Sequence, residues 1–78
     1  MTAREEILIA ARDVTTTNGK NEFTISEVWR YMKDNGTQKS QSTIRTHISS
    51  RLCANAPDNH GVTYNDFERV RKGVYKRL

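Results

Sequence analysis

The 78-residue sequence has little cysteine, one proline and no long apolar run, and these shortages exclude several classes of protein. Its only cysteine is Cys53, so no disulfide can form within the chain, and a reducing, intracellular setting is expected. No apolar run approaches the roughly 18 residues of a membrane-spanning helix, and the N-terminus lacks the pattern of a signal peptide. We therefore expect a cytoplasmic protein, or a module cut from one, with no membrane partner.

Motifs of catalysis and metal binding are also scarce. The sequence contains neither a glycine-rich phosphate loop nor a nucleophile elbow. His47, Cys53 and His60 do not have the spacing of a compact zinc motif, and Asp58 lies in a short acidic loop that lacks a set of metal-binding partners. We expect no enzymatic activity, no metal, no cofactor and no small-molecule ligand.

The charge is unevenly distributed along a chain whose length predicts a single domain, residues 1–78. Residues 1–36 carry five basic and six acidic side chains, whereas residues 37–78 carry eight basic and three acidic ones. A basic C-terminal half favours a polyanionic partner, and nucleic acid is the leading candidate. A basic surface that serves only solubility is the alternative, and charge alone does not decide between the two.

Two helix starts are marked by capping boxes at Thr2 and Thr24, each followed three residues later by glutamate. The first helix is expected to end at Asn18-Gly19 and the second at Asn35-Gly36. Phe23 either packs back on the second helix or pairs as a very short strand. Apolar residues at helical spacing follow each start: Ile7, Leu8, Ala11 and Val14, then Ile25, Val28, Trp29 and Met32.

A third helix is predicted from about Ser40 to Ala54, because Ile44, Ile48 and Leu52 recur every four residues. It has to end near Ala56, because Pro57 disfavours helical geometry in the residue before it. The face opposite the apolar stripe is expected to carry small side chains, flanked by Arg45 and Arg51. These small residues are Ser42, Thr43, Thr46, Ser49, Ser50 and Cys53.

The C-terminal residues predict a β-hairpin. Residues 67–70 and 74–78 are rich in aromatic and β-branched types, and Arg71-Lys72-Gly73 fits a three-residue loop with glycine in the left-handed conformation. The register stays open, because Phe67 and Val70 would point to opposite faces of a regular strand. Three helices followed by a hairpin indicate an α+β fold of the winged helix-turn-helix type, although a fold alone does not define a function.

The segments STIRTHISSRLCANAP and DFERVRKGVYKRL resemble a small winged-helix family of bacteria and archaea, found alone or fused to restriction-type nucleases. The similarity runs from about Phe23 to Leu78. It implies duplex DNA binding, with the third helix as reader and the hairpin as wing. It also implies a role as a small regulator or as the targeting module of a restriction or defence system. A fused or associated nuclease, or a second copy of the chain, would then be a further partner.

The expected contacts with DNA come from small hydroxyls, which let a helix approach a groove closely, and from basic side chains, which neutralise phosphates. Only Gln41 and Arg45 could make a bidentate contact with a base. Two alternatives remain open, namely protein association through the first helix or the wing, and, less favoured, RNA binding. The predicted DNA-binding residues are Lys39, Ser40, Gln41, Ser42, Thr43, Arg45, Thr46, Ser49, Ser50, Arg69, Arg71, Lys72 and Lys76.

Overall fold

The computed structural model describes residues 1–55 and 64–78, and it has the α+β composition that the sequence predicts. The predicted loop at residues 58–61 and the effect of Pro57 lie outside the described residues. Within them, no helix is both long enough and apolar enough to cross a membrane. The elements in chain order are α1 (Ala3–Asn18), β1 (Phe23–Thr24), α2 (Ile25–Asp34), α3 (Gln41–Thr46), a π-helical turn (His47–Arg51), β2 (Phe67–Arg71) and β3 (Val74–Arg77).

Both predicted capping boxes are present. The Thr2 hydroxyl accepts a hydrogen bond from the Glu5 amide at 3.2 Å, and the Glu5 carboxylate accepts one from the Thr2 amide at 3.0 Å. Thr24 and Glu27 make the same reciprocal pair at the start of α2, at 3.1 and 2.7 Å. The first helix ends where Gly19 adopts a φ of 75°, a left-handed conformation that glycine reaches without strain. The predicted bounds of the first two helices are therefore confirmed.

The third helix is shorter and less regular than the sequence predicts. Ser40 caps α3, which ends at Thr46, and the chain continues as the π-helical turn to Arg51 rather than as an α-helix to Ala54. The residues that follow are held by the sheet instead. Phe67 donates its amide to the Leu52 carbonyl at 2.8 Å, and Ala54 donates to the Phe67 carbonyl at 2.7 Å. Pairing with β2 therefore replaces the last predicted helical turn.

The three strands form an antiparallel sheet in the order β1-β3-β2. Arg69 lies opposite Tyr75, but Arg71 lies opposite Val74, so Val70 is an extra residue in a β-bulge. Phe67 is buried while Val70 is exposed, as expected for residues on opposite faces of a strand, and the bulge sets the register that the sequence left open. The predicted three-residue loop is wrong in one respect: Arg71 belongs to β2, and Lys72 with Gly73 forms the turn. Gly73 has the expected positive φ of 76°.

The core lies between the helices and one face of the sheet. Phe23 packs edge-on against Phe67 with a ring-centroid distance of 4.9 Å, and it stacks on Tyr75 at 6.2 Å. Cys53 is buried in the same core, so its predicted place on the face with the small hydroxyls is wrong. The reason is that residues 52–54 have left the helix and follow β2, which turns the thiol inward. The other buried hydrophobic residues are Ile7, Ala10, Ala11, Val28, Met32, Ile44, Ile48 and Leu52.

Candidate nucleic-acid interface

The outer face of the third helix (α3 with the π-helical turn) carries a row of exposed small hydroxyls. In a regular α-helix, residues four apart drift by about 40° around the axis. The wider turn at His47–Arg51, closed by a 2.9 Å hydrogen bond from the Leu52 amide to the His47 carbonyl, reduces that drift. Residues with four-residue spacing therefore share one face. Ile44, Ile48 and Leu52 are all buried, and Ser42, Thr46 and Ser50 are all exposed.

Side chains within the helix account for its irregular hydrogen bonding. The His47 ring nitrogen Nδ1 lies 2.8 Å from the Thr43 carbonyl, and the Ser49 hydroxyl donates to the Arg45 carbonyl at 2.8 Å. Serine and threonine hydroxyls that bond back to the preceding turn compete with the backbone and often distort helices. Such bonds are one reason why a helix so rich in hydroxyls does not stay α-helical. Ser49 itself is half-buried, with its hydroxyl bonded to the Arg45 carbonyl, rather than on the most exposed face.

Hydroxyls at the start of α3 bind one another. The Ser40 hydroxyl accepts from the Thr43 amide at 3.2 Å, lies 2.9 Å from the Thr43 hydroxyl, and lies 3.2 Å from that of Ser42. One of the backbone amides that could have met a phosphate is therefore already satisfied by the cap. By contrast, Thr46 and Ser50 make no side-chain hydrogen bond to any residue in the described ranges, which leaves their hydroxyls available.

Two exposed arginines belong to different elements, one to the third helix and one to the hairpin. Arg45 is exposed on α3, and Arg69 is exposed on β2, where it lies opposite Tyr75 on the sheet. Burial raises the pKa of the Tyr75 hydroxyl above its usual value, while the positive charges of Arg69 and Arg45 both act on that pKa in the opposite direction. The backbone of Arg69 also pairs with the side chain of Asn55, four residues after the end of the third helix. The strand that carries Arg69 therefore contacts the segment that leaves the third helix.

No acid neutralises this pair in the part of the chain that the structure describes. Within residues 1–55 and 64–78, neither Arg45 nor Arg69 forms a salt bridge, and the same holds for Arg51 and for Lys72 in the hairpin turn. Arg51 was expected to flank the apolar stripe but was not among the predicted contact residues. Arg51 is exposed, four residues after His47, and is therefore a further cation at the C-terminal end of the third helix.

Three of the predicted basic contacts have acidic partners instead. Lys39 pairs with Glu6 at 2.9 Å, Arg71 pairs with Glu22 at 3.3 Å, and Lys76 pairs with Glu68 at 3.4 Å. The Arg71 and Lys76 side chains are exposed, and pairs of that kind contribute only about 0–1 kcal/mol, so a phosphate could replace the acid at little cost. Lys39 is less accessible and connects the α2–α3 loop to α1. Contact between these three residues and nucleic acid stays a prediction.

The Lys39–Glu6 pair predicts an acid-sensitive contribution to stability. Hydrogen bonds from Lys39 and then Thr37 hold the pKa of Glu6 below its usual value of 4.5, against the opposing effect of burial. Stabilisation by such a group is present at neutral pH and is lost as the pH falls through the lowered pKa. We expect Glu6→Gln to be less stable than the parent at neutral pH, and to lose less further stability on acidification.

Urea unfolding of the parent and of Glu6→Gln, measured from about pH 7 to about pH 3, tests this expectation. Asp34→Asn is the control, because Asp34 is exposed at the end of α2 and forms no salt bridge among the described residues. An identical pH dependence for Glu6→Gln and the parent would show that the pair does not stabilise the fold.

Metal binding finds no support in the described ranges. Residues 1–55 and 64–78 contain no group of three or more His, Cys, Asp or Glu side chains placed to hold an ion. Cys53 is buried, and its thiol lies 3.1 Å from the Asn55 side-chain oxygen. His60 lies outside these ranges.

Comparison with known proteins identifies a family without assigning an activity. No curated protein and no solved structure gives a significant match to the chain. A family model described as a domain of unknown function, DUF7669, matches residues 6–77. That match covers all the elements described above except the first residues of α1. The chain therefore belongs to the DUF7669 family.

Proposed function

We propose that this chain is a winged helix-turn-helix domain that binds double-stranded DNA. Three helices, a short strand after the first of them and a C-terminal hairpin in the strand order β1-β3-β2 are compatible with that fold. In such a domain the third helix enters the major groove, and the hairpin contacts the backbone or the adjacent minor groove.

One observation carries the proposal. An exposed row of small hydroxyls lies on the third helix together with Arg45, and Asn55 joins the end of that helix to Arg69 of the hairpin, with no acidic partner for either arginine among the described residues. Small side chains let a helix approach the floor of a groove, and their hydroxyls can donate to phosphates or base edges. Cations on two separate elements can contact phosphates on both sides of that groove. The resemblance of its sequence to a winged-helix family and the net charge of +4 are consistent with this function.

The surface of α1 gives less support to protein association. Large hydrophobic side chains that are exposed within the described ranges are Met1, Tyr64, Val70 and Leu78, and none of them lies on α1. An interface of that kind would be expected to leave a contiguous apolar patch on the isolated domain. A role as a small regulator, or as the targeting module of a restriction system with an associated nuclease, follows from the resemblance and belongs to the same proposal.

A titration with a short DNA duplex, followed by amide chemical shifts, tests the proposal directly. We expect the largest changes at Ser42, Thr46, Ser50 and Arg69, and small changes along the exposed face of α1. Single-stranded DNA of the same length is the control ligand. Changes that are confined to α1, or an equal response to both ligands, would overturn the proposal.

The salt dependence of duplex binding provides a second, quantitative prediction. If Arg45, Arg69 and Lys72 each neutralise one phosphate, the logarithm of the binding constant should fall against the logarithm of salt concentration with a slope of about −3. Lys39 and Arg71 would steepen the slope only if they exchange their acidic partners for phosphates. Fluorescence anisotropy between about 50 and 200 mM salt measures it. Binding that does not respond to salt would contradict phosphate contacts by these residues.

A further inference from the structure

Asn55 holds the hairpin to the end of the third helix by pairing with both backbone groups of one strand residue. Its side-chain oxygen accepts from the Arg69 amide at 2.9 Å, and its side-chain nitrogen donates to the Arg69 carbonyl at 3.2 Å. The Cys53 thiol lies 3.1 Å from the same oxygen. A side-chain amide thus occupies the place that a neighbouring strand would have beside Arg69.

These contacts extend the pairing between residues 52–54 and β2. Phe67 is bonded on the same edge by Leu52 and Ala54, and the Tyr64 amide donates to the Arg51 carbonyl at 2.7 Å. In a strand, alternate residues direct their backbone groups to the same edge, so Arg69 is the next position that this edge has to satisfy. Asn55, which lies only four positions after the third helix, supplies the hydrogen-bond partners for the Arg69 amide and carbonyl. Beyond Arg69 the strand enters the bulge and the turn.

We propose that Asn55 is a positioning residue, which sets where Arg69 and the hairpin tip lie relative to the third helix and so allows both to contact one duplex. This inference rests on the proposed function. Two hydrogen bonds to one peptide segment fix its position along and across the strand. Without them, the strand at Arg69 is joined only to β3, and the angle between the hairpin and the third helix is less constrained. Precise placement of a contact residue needs support of this kind from its neighbours.

The chain contains a matched control for this role. Asn21 makes the same pair of contacts to Arg77 in β3, donating to its carbonyl at 2.7 Å and accepting from its amide at 3.3 Å. Arg77 lies at the opposite end of the hairpin from the turn, and its guanidinium donates to the Thr15 hydroxyl on α1 at 3.3 Å. Asn21→Ala therefore removes the same chemistry from the same hairpin, but on the other strand and at the end opposite the turn.

The test is a double-mutant cycle in which duplex affinity and its salt slope are measured for Asn55→Ala, Arg69→Ala and the double variant, with Asn21→Ala beside them. Each of the first two changes should weaken binding about tenfold and reduce the magnitude of the salt slope by about one, because the same phosphate contact is lost. The double variant should be no weaker than either single variant, since the two residues act as a unit. Asn21→Ala should bind with parental affinity. Thermal melts show whether all variants are folded.

Amide hydrogen exchange supplies a measurement that does not depend on DNA. Exchange at Arg69 should accelerate in Asn55→Ala and stay at the parental rate in Asn21→Ala. Parental duplex affinity for Asn55→Ala, additive losses in the double variant, or an equal loss in Asn21→Ala would each overturn the inference and leave the proposed function standing. A parent protein that binds no duplex would overturn the proposed function. In that case, unchanged exchange at Arg69 would overturn the positioning role as well.

Discussion

Duplex binding by the Thr46→Glu variant is expected to be weaker than that of the parent by about 100-fold or more. Thr46 is exposed in the middle of the row formed with Ser42 and Ser50, and makes no side-chain hydrogen bond among the described residues. A glutamate there would place a negative charge against the phosphates or in the groove, and like charges brought together at an interface cost several kcal/mol. The free energy of unfolding should change by less than about 1 kcal/mol, as at other exposed positions.

Thr17→Glu is the matched control for that experiment. Thr17 is also an exposed helical threonine, but it lies near the end of α1, so the variant has the same net charge without altering the third helix. Anisotropy titrations and thermal melts on both variants separate a local effect from a general loss of positive charge. If Thr46→Glu bound DNA as well as the parent does, the third helix would not be the reading element. Protein association would then become the leading function.

The second large effect is expected in stability rather than in binding. Ile48 is fully buried and lies in the π-helical turn, which packs against α1, while α3 packs against α2. Replacing it with alanine removes buried methylene and methyl groups and leaves a cavity, which costs about 2–5 kcal/mol in well-packed cores. Since native domains have a free energy of unfolding of only about 5–15 kcal/mol, the Ile48→Ala variant should be strongly destabilised.

Ile9→Ala is the control for this prediction, because Ile9 is helical and only partly buried, outside the core cluster. It should cost much less than Ile48→Ala in urea unfolding monitored by circular dichroism. A similar small loss in both variants would mean that Ile48 does not anchor the third helix. The inward face of that helix would then have been assigned wrongly, and the outward row of hydroxyls with it.

Features set by neighbouring residues were predictable from the sequence. The two capping boxes depend on side chains three residues apart, and the helix end at Gly19 depends on a conformation that glycine adopts most easily. The inward face of the third helix was predicted correctly as well, since Ile44, Ile48 and Leu52 are all buried. Their four-residue spacing did not reveal the π-helical turn, because residues four and eight apart also share one face of a regular α-helix.

Features that depend on distant partners were not predictable in this way. Residues 52–54 could have continued the helix, and only their hydrogen bonds to Phe67 turned Cys53 into the core. The pairing of Lys39 with Glu6 likewise joins residues from separate elements. Similarly, the bulge at Val70 belongs to the pairing of β2 with β3, which the alternation of residues did not predict.

For the candidate site, the sequence by itself determined which side chains are available: small hydroxyls on one helical face and cations in the third helix and hairpin. Only the tertiary structure decided which of them act together. It left Arg45 and Arg69 without acidic partners among the described residues, gave Lys39, Arg71 and Lys76 acidic partners, and joined Arg69 to the end of the third helix through Asn55. The physical reason is how far apart along the chain the interacting groups lie. Caps and helical faces arise from residues within one or two turns, whereas charge pairing and strand-edge hydrogen bonds depend on groups that only folding brings into contact.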